Sequence, residues 1–151
     1  MNTKTCAFCR HIGGHYWGDI DRQDHFCGKK DERRRDGRTR SGDAAQDFMD
    51  DFRRFYDASA RQKACRYFDA ADPLGGDEVR LMSLFDAKGL AHFKFFSEEN
   101  GEAERHPKVL FERDHYADQK RDDGHYRAYR LTNVGRLRWE QHLASTATPA
   151  A

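Results

Sequence analysis

Cys6, Cys9, Cys27 and Cys65 are the four cysteines of the chain, and their spacing suits metal binding. Cys6-Ala7-Phe8-Cys9 is a knuckle: two residues between thiolates let both sulfurs face one ion while the backbone turns around it. Four thiolates close a tetrahedral structural zinc site. An iron–sulfur cluster takes the same donors, and the gaps of seventeen and thirty-seven residues, although unlike common ferredoxin spacings, leave a cluster as the alternative. His11, His15 and His25 are the side chains that could replace a cysteine on the ion. Without a metal, Cys27 and Cys65 read as small buried hydrophobes. A thioredoxin-like redox pair needs a strand ahead of its Cys-x-x-Cys, and the five residues before Cys6 leave no room for one.

Other reactive side chains carry less. Asp114-His115 and Asp122-Asp123-Gly124-His125 put carboxylates beside imidazoles, but neighbours on a strand point to opposite faces. Both groups flank a hairpin turn, where polar residues are expected anyway. No Gly-rich phosphate loop follows a strand, and neither Gly-x-Ser-x-Gly nor His-Glu-x-x-His occurs. The chain therefore reads as a binding protein and not as an enzyme.

The elements that position the cysteines come next. Residues 1–30 are rich in Cys, His, Gly and aromatics without sustained periodicity, which suits loops and short strands around a metal. Lys29 to Arg40 is a basic run of seven cationic against three acidic side chains; residues 29–42 form an exposed linker with no apolar anchor. Asp43 caps a helix with Gln46 at the capping-box position. Phe48, Phe52, Phe55 and Tyr56 give that helix one aromatic stripe, read as core, and deliver the chain to Cys65.

Asp72-Pro73-Leu74-Gly75-Gly76 breaks the chain before a second unit. Asp77 is expected to cap a helix over 77–88, with Leu81, Leu84 and Phe85 on one face and Gly89 as its left-handed stop. Three strands follow, at 91–95, 109–113 and 126–131, with a polar loop containing Asn100-Gly101 between the first two. The last two pair across a charged turn spanning Gln119 to Gly124. Thr132 caps a final helix carrying Val134, Leu137, Trp139 and Leu143.

Tyr129-Arg130-Leu131-Thr132-Asn133-Val134-Gly135-Arg136 resembles the end of the wing in winged-helix DNA-binding proteins, where a Tyr-x-Leu-Thr-x-x-Gly-Arg phrase closes the hairpin and starts the last helix. Helix 77–88, Gly89-Leu90 and the strand after them resemble that family's recognition helix running into its wing. The segment from 96 to 109 is long for a wing and suggests an additional strand. Cys65-Arg66-Tyr67-Phe68, with the knuckle and Cys27, loosely resembles bacterial four-cysteine modules that hold one zinc or iron–sulfur cluster.

The fold expected is α+β. Residues 1–72 form a metal-stapled module with its basic linker and amphipathic helix. Residues 73–145 form a helix, a three-stranded antiparallel sheet and a helix with winged-helix character, and 146–151 a frayed tail. Charged residues make up 35% of the chain against 37% hydrophobic, with eleven Phe, six Tyr and two Trp, so a modest core leans on aromatic rings. No run of eighteen apolar residues exists to span a membrane. The expected address is the cytoplasm, where cysteine clusters more often hold metal than form disulfides. The leading function is zinc-stabilised nucleic-acid binding, regulatory in character, with Arg121, Arg127, Arg130, Arg136 and Arg138 on phosphates. The alternative is an adaptor or inhibitor that docks its basic linker and Tyr16, Trp17 and Tyr126 on an acidic protein.

Overall fold

A computed structural model describes residues 3–17, 22–27, 63, 65–106 and 109–147. The basic linker and the helix expected after Asp43 lie outside the described residues. Among the described residues the chain is mixed α+β, with three α-helices, a four-stranded antiparallel sheet and a separate two-stranded hairpin. None of these helices is long and apolar enough to cross a membrane.

The N-terminal part begins with a 3-10 turn at Cys6–Phe8, closed by the Cys9 N–H on the Cys6 carbonyl at 3.2 Å. β1 (Ile12–Trp17) and β2 (Arg22–Cys27) then pair in a register that sets Ile12 opposite Cys27. Lys63 and residues 65–71 return beside the turn. Thr5 bridges Lys63 and Cys9 bridges Ala70, with Arg10 N–H on the Asp69 carbonyl and Ala71 N–H on the Phe8 carbonyl, both at 2.8 Å.

α1 spans Gly76–Met82 and is shorter than the helix expected over 77–88. Gly75, not Asp77, sits at its N-cap, and the Glu78 carboxylate accepts the Gly75 N–H at 2.9 Å. The helix stops early because Asp86 offers the backbone another partner: its carboxylate accepts the N–H groups of Lys88 and Leu90 at 2.9 and 3.0 Å. Gly89, at φ 76°, completes that turn. Its left-handed conformation thus serves the entry to a strand and not the end of a helix. Leu84, expected to be inward, is 51% exposed beyond the helix end.

β3 (Leu90–Lys94) buries Ala91 and Phe93 alternately, as its pattern requires. α2 (Glu98–Arg105) replaces the polar loop and additional strand expected between 96 and 109. Ser97 caps it by accepting the Asn100 N–H at 3.2 Å, and Glu98 and Glu99 sit favourably in its first turn. Asn100-Gly101 usually signals a turn. Here Asn100 is buried, donating to the Phe95 carbonyl and accepting from the Tyr129 hydroxyl, so its side chain serves the packing of a helix.

β4 (Phe111–Arg113), β5 (Gln119–Arg121) and β6 (Gly124–Leu131) complete the sheet. β6 is central: β3 pairs along one edge, while β4 and β5 share the other. The strand expected at 109–113 starts two residues later, and a 3-10 turn at His115–Ala117 separates it from β5 along the same edge of β6. Asp118 bridges the break by accepting the Ala128 N–H at 2.7 Å. The hairpin turn proper is Asp122-Asp123, between Arg121 and its partner Gly124. α3 (Asn133–Ala147) starts where Thr132 accepts the Gly135 N–H at 3.0 Å, the cap read from the sequence. It runs through the first residues of the expected frayed tail, and Leu143 is 47% exposed instead of packed.

The core gathers Leu81, Met82, Ala91, Phe93, Ala103, Leu110, Phe111, Tyr129, Leu131 and Val134. Phe93, Phe111 and Tyr129 pack ring against ring with Phe85 at centroid separations of 5.5–6.3 Å.

Candidate metal centre and hairpin surface

Backbone pairing draws all four cysteines toward one end of the molecule. Cys6 and Cys9 begin and follow the 3-10 turn, Cys27 lies opposite Ile12, and Cys65 follows the segment that bridges Thr5. Cys9 is buried, Cys6 half-buried and Cys65 exposed, and none of the three is in a disulfide among the described residues. The side chains of Cys27, His15 and His25 lie outside the described residues. Among the described residues, no three His, Cys, Asp or Glu side chains stand together as an ion's ligands. Beside Cys6, the Thr5 hydroxyl is buried with no hydrogen-bond partner among the described residues. Four cysteine thiolates are, by their chemistry, the donor set that zinc or an iron–sulfur cluster takes.

The five arginines do not form one patch. Arg138, on α3, donates through Nε to the Ala7 carbonyl at 2.6 Å and through Nη2 to the Cys9 carbonyl at 3.4 Å. Burial holds its pKa below the ordinary arginine value, with Glu78 and Cys9 pulling it back up. Arg136 donates to the Lys88 carbonyl at 2.7 Å and lies over Gly89. Arg130 is ion-paired with the buried Asp114, and Arg127 with Glu104. Residues three apart on a strand face opposite ways, and these two reach opposite partners accordingly. Arg121 and Arg130 are the exposed members of the five; the Arg121 guanidinium lies 4.0 Å over the Tyr126 ring and donates to Gln119 Oε1 at 2.8 and 3.0 Å.

Around the hairpin stand groups that the sequence did not single out, Phe95, Phe96 and Lys120, beside residues that it did. Phe95, Gln119, Lys120, His125, Tyr126, Arg127 and Asp118 line an open depression of about 450 Å³. Arg127 lies 4.2 Å over the Phe95 ring, and Phe96, 92% exposed, meets Phe95 edge-on at 4.5 Å. The signal for these two was present: consecutive phenylalanines at a strand end break the inside–outside alternation, so one must face water. Lys94 approaches Asp123 at 3.9 Å. The Tyr126 hydroxyl donates to Asp123 at 2.6 Å, which holds the Asp123 carboxyl below the usual range and raises the Tyr126 phenol.

The carboxylate–imidazole pairs serve the scaffold. Asp114 is taken by Arg130, and His115 Nδ1 meets Arg113 at 3.1 Å. Burial pushes the Asp118 carboxyl up, but hydrogen bonds from Arg113 and the Ala128 amide outweigh it and leave the group more acidic than usual. Asp122 and Asp123 form the hairpin turn, with His125 exposed beyond it.

No known protein family, curated protein or solved structure matches the chain, so its chemistry rests on these residues alone.

Proposed function

We propose that the chain is a zinc-stapled nucleic-acid-binding protein of winged-helix character, acting as a regulator. Cys6, Cys9, Cys27 and Cys65 would hold the metal, with His11, His15 or His25 as the alternative fourth donor and an iron–sulfur cluster as the alternative cofactor. The metal's contribution is structural, cross-linking the knuckle, the β1–β2 hairpin and the returning segment. The order helix, strand, helix, hairpin, helix, with the last strand central, supports the winged-helix reading. The observation that carries the function is the hairpin surface, where Lys120, Arg121, His125 and Arg127 surround the faces of Phe95 and Tyr126. Cations beside exposed rings suit phosphates and bases together.

The arginines divide by what binding would require of them. Arg121 meets a phosphate without giving up an acidic partner, whereas Arg127 and Arg130 must first leave Glu104 and Asp114. Arg136 would have to leave the Lys88 carbonyl. Anisotropy titrations of fluorescent DNA should therefore find binding at about 50 mM salt, where screening is weak. Arg121→Ala and Lys120→Ala should each reduce the salt slope by roughly one unit. Absence of affinity at that salt would overturn the reading. A second reading then takes its place, docking on an acidic protein, which the exposure of Phe96 and Tyr116, 92% and 89%, favours.

A further inference from the structure

Arg138 occupies an unusual place. α3 turns this residue inward, beside the half-buried Leu137 and Trp139, and its guanidinium ends in the N-terminal module. A desolvated cation needs an anion as well as hydrogen bonds. Its two acceptors among the described residues, Ala7 O and Cys9 O, are neutral carbonyls. Glu78, the carboxylate whose charge reaches it, faces the Gly75 N–H at 2.9 Å and His106 at 3.4 Å. Arg10 and Asp72 share the cavity beside it, but Asp72 is directed to Arg10 at 3.9 Å. No carboxylate is bonded to Arg138 among the described residues. The charge faces the knuckle instead, and a zinc ion held by four thiolates is a net anion.

We propose that Arg138 is the positioning residue of the metal centre: its fork holds the carbonyls on either side of Phe8, fixes the knuckle's turn, and supplies the countercharge to the metal–thiolate group. This rests on the zinc reading. The consequence is that the metal module and the sheet unit are joined at the ligand loop itself, so that α3 senses whether the site is filled. Lysine keeps the charge but lacks the fork that reaches two carbonyls.

The test uses the full-length chain, reduced and stripped by a chelator. Zinc affinity is read by competition with a chromophoric chelator, and ligand geometry by the visible and sulfur-to-metal charge-transfer bands of added Co²⁺. Wild type should give the bands of a tetrahedral thiolate site. Arg138→Gln should weaken zinc about 10-fold or more, the scale on which outer-sphere partners act, and alter the Co²⁺ bands; Arg138→Lys should recover only part of the loss. Wild type without thiolate–Co²⁺ bands would overturn the zinc reading itself. Wild-type bands and affinity retained in Arg138→Gln would overturn the inference alone. If Arg138→Gln fails to fold, Arg138→Lys decides: weakened zinc with an unchanged fold supports the fork, and wild-type affinity overturns it.

Discussion

Replacing Gly135 by alanine is expected to destabilise the protein by about 3 kcal/mol or more, the upper range for forcing extra volume into a packed interior. A Cβ at this position would stand 1.8 Å from the Leu110 carbonyl oxygen and 2.8 Å from its carbon. Both are backbone atoms, so no rotamer change relieves the overlap. Neither partner is free to retreat. The Leu110 carbonyl accepts the Thr132 N–H at 3.0 Å, and the Gly135 N–H is held on Thr132 Oγ1 at 3.0 Å. Alanine's better helix propensity returns only about 1 kcal/mol. Urea denaturation of Gly135→Ala beside Gly76→Ala checks this, since a Cβ at Gly76 meets nothing within 4 Å. Gly76→Ala should stay within about 0.5 kcal/mol of wild type, as surface changes do. Equal midpoints for the two variants would mean that α3 is not seated on Leu110.

That glycine marks how far the sequence could be read. The phrase from Tyr129 to Arg136 announced a strand, a cap and a helix, and β6, Thr132 and α3 follow it closely. Alternation and capping are local, so they survive without knowledge of neighbours. α2 was hidden for the opposite reason. Asn100-Gly101 reads as a turn until Tyr129, distant in sequence, supplies a hydroxyl that makes a buried asparagine acceptable in a helix. α1 likewise ended early because Asp86 bonds forward to Leu90, a competition that hydrophobic spacing does not encode. The arginines were the least legible. Their role depends on whether a carboxylate or carbonyl arrives in three dimensions, and Asp114, Glu104, Lys88 and Ala7 come from other elements. The cysteines remain a reading of donor chemistry to which the pairing of β1 with β2 and the bridges Thr5–Lys63 and Cys9–Ala70 add proximity of the backbone.

The same buried asparagine leads to an alkaline transition. Tyr129 is 2% exposed and donates its hydroxyl to Asn100 Oδ1 at 2.9 Å. Burial pushes its phenol up to about 12 from 10.0, against the pull of the Arg113 charge and with Glu104 adding to the rise. A group whose folded pKa is raised contributes stability below its unfolded pKa and loses it as the pH climbs to the folded value. The unfolded chain releases this proton near pH 10 while the folded chain still holds it. Stability should therefore fall between about pH 10 and 12, by roughly 2–3 kcal/mol for two pKa units. Tyr129→Phe should remove this share of the alkaline loss. It should also cost about 1–2 kcal/mol at neutral pH, because Asn100 Oδ1 loses its donor in a buried place. Urea midpoints of both proteins at about pH 8 and pH 11.5 give the comparison. Taking the difference between them cancels the other tyrosines, Tyr126 included, whose phenol is raised by its bond to Asp123. A Tyr129→Phe protein that weakens with pH as steeply as wild type would show that the phenol is not sealed against α2. The aromatic core would then be held by ring packing alone, without the Tyr129–Asn100–Phe95 chain of hydrogen bonds that ties α2 to the centre of the sheet.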